Sequence, residues 1–131
     1  MKVLALDLGD VWTGTAMSDP LKIIATPYQT IKTEDLVSFL TNLFQKEIIE
    51  TVVIGYPRTM KGTESIQTKK VLEQKKILEN IFSSKKYILW DERLSSKHAQ
   101  NIQRQKSKMN STQEHSIAAA LILETYLQFL T

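Results

Sequence analysis

The segment MKVLALDLGDVWTGTAM, residues 1–17, decides the fold. Val3 to Leu6 is a continuous apolar run behind one basic entry residue, so residues 1–8 read as a buried strand. The run stops at Asp7. Gly9 and Asp10 supply a tight turn, and Trp12 to Met17 can return as a second strand. Leu21 to Thr26, ending before Pro27, reads as a third. The opening is therefore an antiparallel meander with a carboxylate at the end of its first strand.

Beyond the meander the periodicity changes. Thr33 is placed to cap a helix with Glu34 and Asp35 in its first turn, and Leu36, Val37, Leu40, Leu43 and Phe44 follow at helical spacing. Thr51 to Ile54 is a β-branched run that stops at Gly55, a fourth strand. Pro57 to Thr63 reads as a loop. A charged helix from about residue 64 to residue 82 carries Val71, Leu78 and Phe82 on one stripe. Tyr87 to Trp90 is a fifth strand. Ser95 or Ser96 can cap a helix with a thin apolar face, Ala99 and Ile102. Ser111 to Glu114 fits a capping box, and Ile117 to Leu130, apolar on most sides, predicts a largely buried last helix. Strands that alternate with helices imply parallel pairing, and right-handed crossovers set strands one, four and five side by side.

The chain has 131 residues, 42% hydrophobic and 24% charged, which fits one globular domain spanning residues 1–131 and excludes a collagen, a disordered tail or a coiled-coil rod. Cysteine is absent, so disulfides, thiolate zinc sites and a cysteine nucleophile are excluded, and any metal must be held by oxygen or imidazole. The apolar start is too short for a signal-peptide core, and no run approaches the roughly 18 apolar residues of a membrane span. The expectation is a cytoplasmic protein without a membrane partner. A net charge of +3 permits a nucleic-acid partner without demanding one.

In sheets of this kind ligands collect at the carboxyl ends of the parallel strands. Asp7, the Gly55-Tyr56-Pro57 turn and Asp91-Glu92 fall there. A carboxylate beside a core is costly unless compensated, and a divalent cation, Mg²⁺ or Mn²⁺, is the usual compensation. Two plainer roles stand beside this one: Asp7 closing its own turn by accepting backbone N–H groups, and Asp91 paired with Arg93. The Asp7-Leu8-Gly9 triplet also resembles the opening of actin-like phosphate loops, but those proteins close two domains around a nucleotide.

Four segments, in order, resemble the YqgF/RuvX family of pre-ribosomal-RNA nucleases, once described as Holliday junction resolvase-like. They are Asp7-Leu8-Gly9 through Gly14 to Asp19; Val53-Ile54-Gly55-Tyr56-Pro57 with Met60 to Glu64; Asp91-Glu92-Arg93-Leu94-Ser95; and Ala118 to Tyr126. The resemblance implies an α/β, RNase H-like three-layer fold. Its five-stranded mixed sheet would have the first three strands antiparallel and strands 1, 4 and 5 parallel. It also implies two-metal phosphodiester hydrolysis with Asp7 and Glu92 as ligands and Asp91 the less favoured choice. The family's third acidic residue lies three positions before the Ala-Ala pair of the last helix. Here that position is His115. Glu114 beside it points about 100° away around a helix and serves the capping box. His115 is either a neutral imidazole ligand, which suits Mn²⁺ better than Mg²⁺, or a residue that has left the metal site.

The turn also departs from the family, with Val11 and Trp12 where a basic pair is usual. Trp12 either stacks on a base or packs within the strand layer, against Tyr28 or a helix. Arg58, Lys61 and Arg93 are candidate phosphate contacts. Arg104, Lys106 and Lys108 form a basic stretch that is either a flap over nucleic acid or a solvated linker, and His98 reads as a surface residue. The implied function is 5′-end processing of pre-16S rRNA on ribosomal precursor particles, by a monomer or homodimer. Two alternatives are a weakly catalytic nucleic-acid-binding assembly factor and a resolvase of branched DNA.

Overall fold

A computed structural model of the protein describes residues 1–56, 66–91 and 111–131, without the side chains of 111–113. Five strands, β1 (Lys2–Leu8), β2 (Trp12–Ser18), β3 (Ala25–Lys32), β4 (Ile49–Tyr56) and β5 (Lys86–Asp91), form one sheet in the order β3-β2-β1-β4-β5. The meander pairs are antiparallel; β1–β4 and β4–β5 are parallel. After β3 come a 3-10 turn (Thr33–Asp35) and helix α1 (Leu36–Lys46). Helix α2 (Ile66–Ile81) links β4 to β5, and α3 (Ser111–Leu130) ends the chain. The mixed sheet between helical layers is the fold expected from the sequence. The helix expected near Ser95 to Ile102 and the loop Pro57 to Thr63 lie outside the described residues.

Strand alternation sorts the core into two layers. Leu4, Leu6 and Leu8 of β1 join Val52 and Ile54 of β4 on one face, where Leu36, Leu40 and Leu43 of α1 and Val71 and Leu78 of α2 cover them. Val3 and Ala5 join Val53 on the other face, under Ala119, Ile122, Leu123 and Tyr126 of α3. β1 is therefore buried on both sides, and that is why its sequence runs apolar without alternation. Asp7 continues the Val3–Ala5 series and so falls on the α3 face.

Three expectations are corrected. The third strand begins at Ala25 and runs through Pro27, not from Leu21. The Asp19 carboxylate accepts the N–H groups of Ile23 and Ile24, both at 2.8 Å, and Lys22 takes a left-handed φ of 61°. Those bonds remove the donors a ladder needs, so Leu21, Ile23 and Ile24 project from a loop, 61–76% exposed. Both N–H groups hold the Asp19 carboxyl below its ordinary value, that of Ile24 most strongly. Pro27 is tolerated because β3 is an edge strand, and it pairs with Ala16 at a register shift. Thr33, expected as the α1 cap, spends its hydroxyl elsewhere, and no side chain caps α1. Finally, α3 buries only one stripe; Phe129 and Leu130 are exposed.

The end of α2 is held by β5. The Tyr87 hydroxyl lies 3.0 Å from the Leu78 carbonyl and 2.9 Å from that of Phe82. Both carbonyls also accept backbone N–H groups, Leu78 from Phe82 at 2.8 Å and Phe82 from Lys85 at 3.3 Å, so the phenol adds to the bonds that close the helix end. Burial, with the Glu79 carboxylate adding to it, pushes the Tyr87 phenol up to about 12. The Tyr87→Phe variant should lose about 1 kcal/mol of stability in denaturant titrations at neutral pH. A phenol raised in the fold stabilises fully below the unfolded value near 10 and loses that contribution as pH rises towards 12. The gap between wild type and Tyr87→Phe should therefore close across that window.

Candidate active site

Asp7 stands one residue before the end of β1, on the face covered by α3. Its Cα partner across the β1–β2 ladder is Gly14. A side chain at Gly14 has nowhere to go: a Cβ there would overlap the carbonyl of His115 and sit 2.7 Å from the Ser116 nitrogen. The backbone of the first turns of α3 thus lies directly on the backbone of β2. A glycine inside a strand often marks such an approach. Because Gly14 neighbours Asp7, the residue of α3 that crosses it is delivered to the carboxylate. His115 Nδ1 lies 3.7 Å from Asp7 Oδ2, and both side chains keep access to solvent.

The turn that follows Asp7 is fixed from three sides. The Thr33 hydroxyl donates to the Gly9 carbonyl at 2.7 Å and so accepts from Thr13, whose hydroxyl is 2.8 Å away. The Thr33 N–H donates to the Val11 carbonyl at 2.9 Å. From α2, the Gln67 carboxamide donates to the Leu8 carbonyl at 3.3 Å, and the Lys70 ammonium reaches Asp10 at 3.2 Å. Gly14, Thr33 and Gln67 are positioning residues that sequence reasoning missed. The glycine within a strand was the one signal available for any of them.

The other candidates are placed by register. Tyr56 pairs with Asp91, the last residue of β5. Ile88 and Trp90 pack on the α3 side, Tyr87 and Leu89 on the α1–α2 side. Asp91 has the parity of the second pair, opposite to Asp7. Glu92, Arg58, Lys61, Arg93 and the basic stretch 103–108 lie outside the described residues. Glu114 is a first-turn residue of α3, and His115 is the one set against Asp7. Val11 is exposed, while Trp12 opens β2 half-buried opposite Lys32. Tyr28 packs instead on Phe39, ring centres 6.1 Å apart. Among the described residues no three His, Asp or Glu side chains gather as a metal-binding group. None of the described helices is long and apolar enough to cross a membrane.

The five-stranded mixed sheet in the order β3-β2-β1-β4-β5 between helical layers is an RNase H-like fold. The solved structure of Thermus thermophilus RuvC superposes with a TM-score of 0.62, covering 100% of this chain and 98% of that one at 11% identity, a likeness of fold. The family model described as "RuvX: Holliday junction resolvase" matches residues 1–129, and the chain belongs to that family. A relative from Rubrobacter xylanophilus, named "Putative pre-16S rRNA nuclease", is 34% identical over 128 residues, 97% of this chain and 92% of its own. One of the same name from Caldicellulosiruptor saccharolyticus is 37% identical, with 99% of each chain covered.

The contact at Gly14 has a direct consequence. Gly14→Ala should destabilise the protein by roughly 1–3 kcal/mol through overpacking. It should also lift α3 from β2, so that the His115 imidazole resonances no longer respond to Asp7→Asn. Wild-type stability in the alanine variant would contradict the contact.

Proposed function

We propose that this protein is a divalent-metal-dependent nuclease that hydrolyses phosphodiester bonds in the 5′-end processing of pre-16S rRNA, in the cytoplasm. The observation that carries the reading is the Asp7–His115 pair at the carboxyl edge of β1. One oxygen and one nitrogen donor, 3.7 Å apart and open to solvent, suit a hard or borderline cation, Mg²⁺ or Mn²⁺. The relatives' shared name supports the substrate class.

Asp7, Glu92 and His115 would hold the cation. Glu92 is preferred to Asp91 because the family resemblance gives it that role and Asp91 has the parity opposite to Asp7. When bound, the metal supplies charge neutralisation at the phosphate and an acidified water. Asp7 contributes a fixed negative charge, held in place by the secured turn. His115 contributes a neutral donor in place of a carboxylate, which removes one negative charge and favours Mn²⁺. Arg58, Lys61 and Arg93 are assigned to substrate phosphates. A second reading, a nucleic-acid-binding assembly factor of weak activity, draws on the same His115 and on the exposed, uncharged Val11.

Manganese should raise the melting temperature of the wild type, and Asp7→Asn should abolish the shift. Pre-ribosomal RNA and a four-way DNA junction should be offered to wild type, Asp7→Asn and Glu92→Gln. Cleavage of the RNA by the wild type alone is the expected outcome, whereas equal residual cleavage by all three proteins would favour the assembly factor. His115→Asp should raise the rate with Mg²⁺ relative to Mn²⁺; unchanged rate and metal preference would remove His115 from the site.

A further inference from the structure

The β1–β2 turn and α2 enclose a cleft of about 220 Å³ on the face of the sheet opposite to Asp7. Its apolar floor is Leu8 and Val71, with the exposed Ile77 at its rim, and its lining includes the carboxamides of Gln67 and Gln74. Both glutamines are half-buried, and they lie seven residues apart, two turns along one face of α2. Gln67 spends one N–H on the Leu8 carbonyl, which fixes its orientation. Gln74 has no hydrogen-bond partner among the described residues, so its donor and its acceptor are both available.

The charge around the cleft selects the ligand. Lys70 lines it, but so do Asp10 and Glu73, and Lys70 is already engaged with Asp10. A phosphate would meet more negative than positive charge. A neutral group with a flat apolar body and an edge of donors and acceptors fits the lining better, and nucleobases are such groups. Single-stranded RNA presents bases splayed from the stack. The cleft begins at Leu8, the residue after Asp7, so a strand with a phosphate at Asp7 can place a neighbouring base across the sheet edge.

We propose that this cleft is a nucleobase subsite for the substrate strand, with Gln74 reading the base edge and Gln67 as its positioned partner. This rests on the nuclease reading above, but its test reads binding and not cleavage. The Asp7→Asn protein is titrated with a short single-stranded RNA and with the same strand made wholly abasic, in two further backgrounds: Gln74→Leu, which keeps the bulk, and Gln74→Trp, which fills the cleft. The parent should prefer the strand with bases by about tenfold. Both Gln74 variants should lose that preference while keeping their affinity for the abasic strand and the same dependence on salt, which reports phosphate contacts. A Lys75→Gln control, whose lysine is paired with Glu79 along the same helix, should keep the preference. An undiminished preference in both Gln74 variants, or none in the parent, would overturn the subsite. Absence of cleavage by the metal-loaded wild type would instead count against the nuclease reading and leave the binding comparison intact.

Discussion

The pairing of Asp7 with His115 depends on the contact between α3 and β2 at Gly14. Asp7 alone is a carboxylate at a strand end, and His115 alone is a residue in a helix's first turn. They become a pair because one strand position carries no side chain, so the backbone of the helix rests on the sheet beside Asp7. The rest of the core serves this approach. The apolar stripe of α3, from Ala119 to Leu127, packs over Val3, Ala5 and Val53 and holds the helix at its crossing point.

The opposite face has a different task. There α1 and α2 cover Leu4, Leu6, Val52 and Ile54, and α2 reaches past the sheet edge to the turn after Asp7. Thr33, just before α1, binds the same turn. With α3 resting on Gly14 from the other face, the carboxyl edge of β1 lies between two helical layers. A charge held on such a turn needs little rearrangement when a ligand arrives.

Much of this was legible in the residues. The double-sided burial of β1 is written in Val3 to Leu6, and the alternation of β-branched runs with helical stripes gave the parallel half of the sheet. Asp7 stood out because a carboxylate ends an apolar run. What was hidden depends on long-range geometry. The start of β3 was misplaced because Asp19 diverts two backbone donors, and Leu21 to Ile24 look like a strand unless that side chain is known to fold back. Thr33 looked like a helix cap because its true partner, Gly9, is 24 residues away. Gly14 reads in the sequence as part of a motif, while its physical task depends on a helix about a hundred residues later.

On the proposed function, Asp7 and His115 share one cation. Pulsed electron paramagnetic resonance of the Mn²⁺-loaded protein tests it directly, because a coordinated imidazole couples its nitrogen to the metal. The chain has two histidines, His98 and His115. The account predicts a nitrogen coupling that survives His98→Asn and vanishes in His115→Asn. A spectrum without nitrogen coupling, or one unchanged by loss of His115, would contradict it.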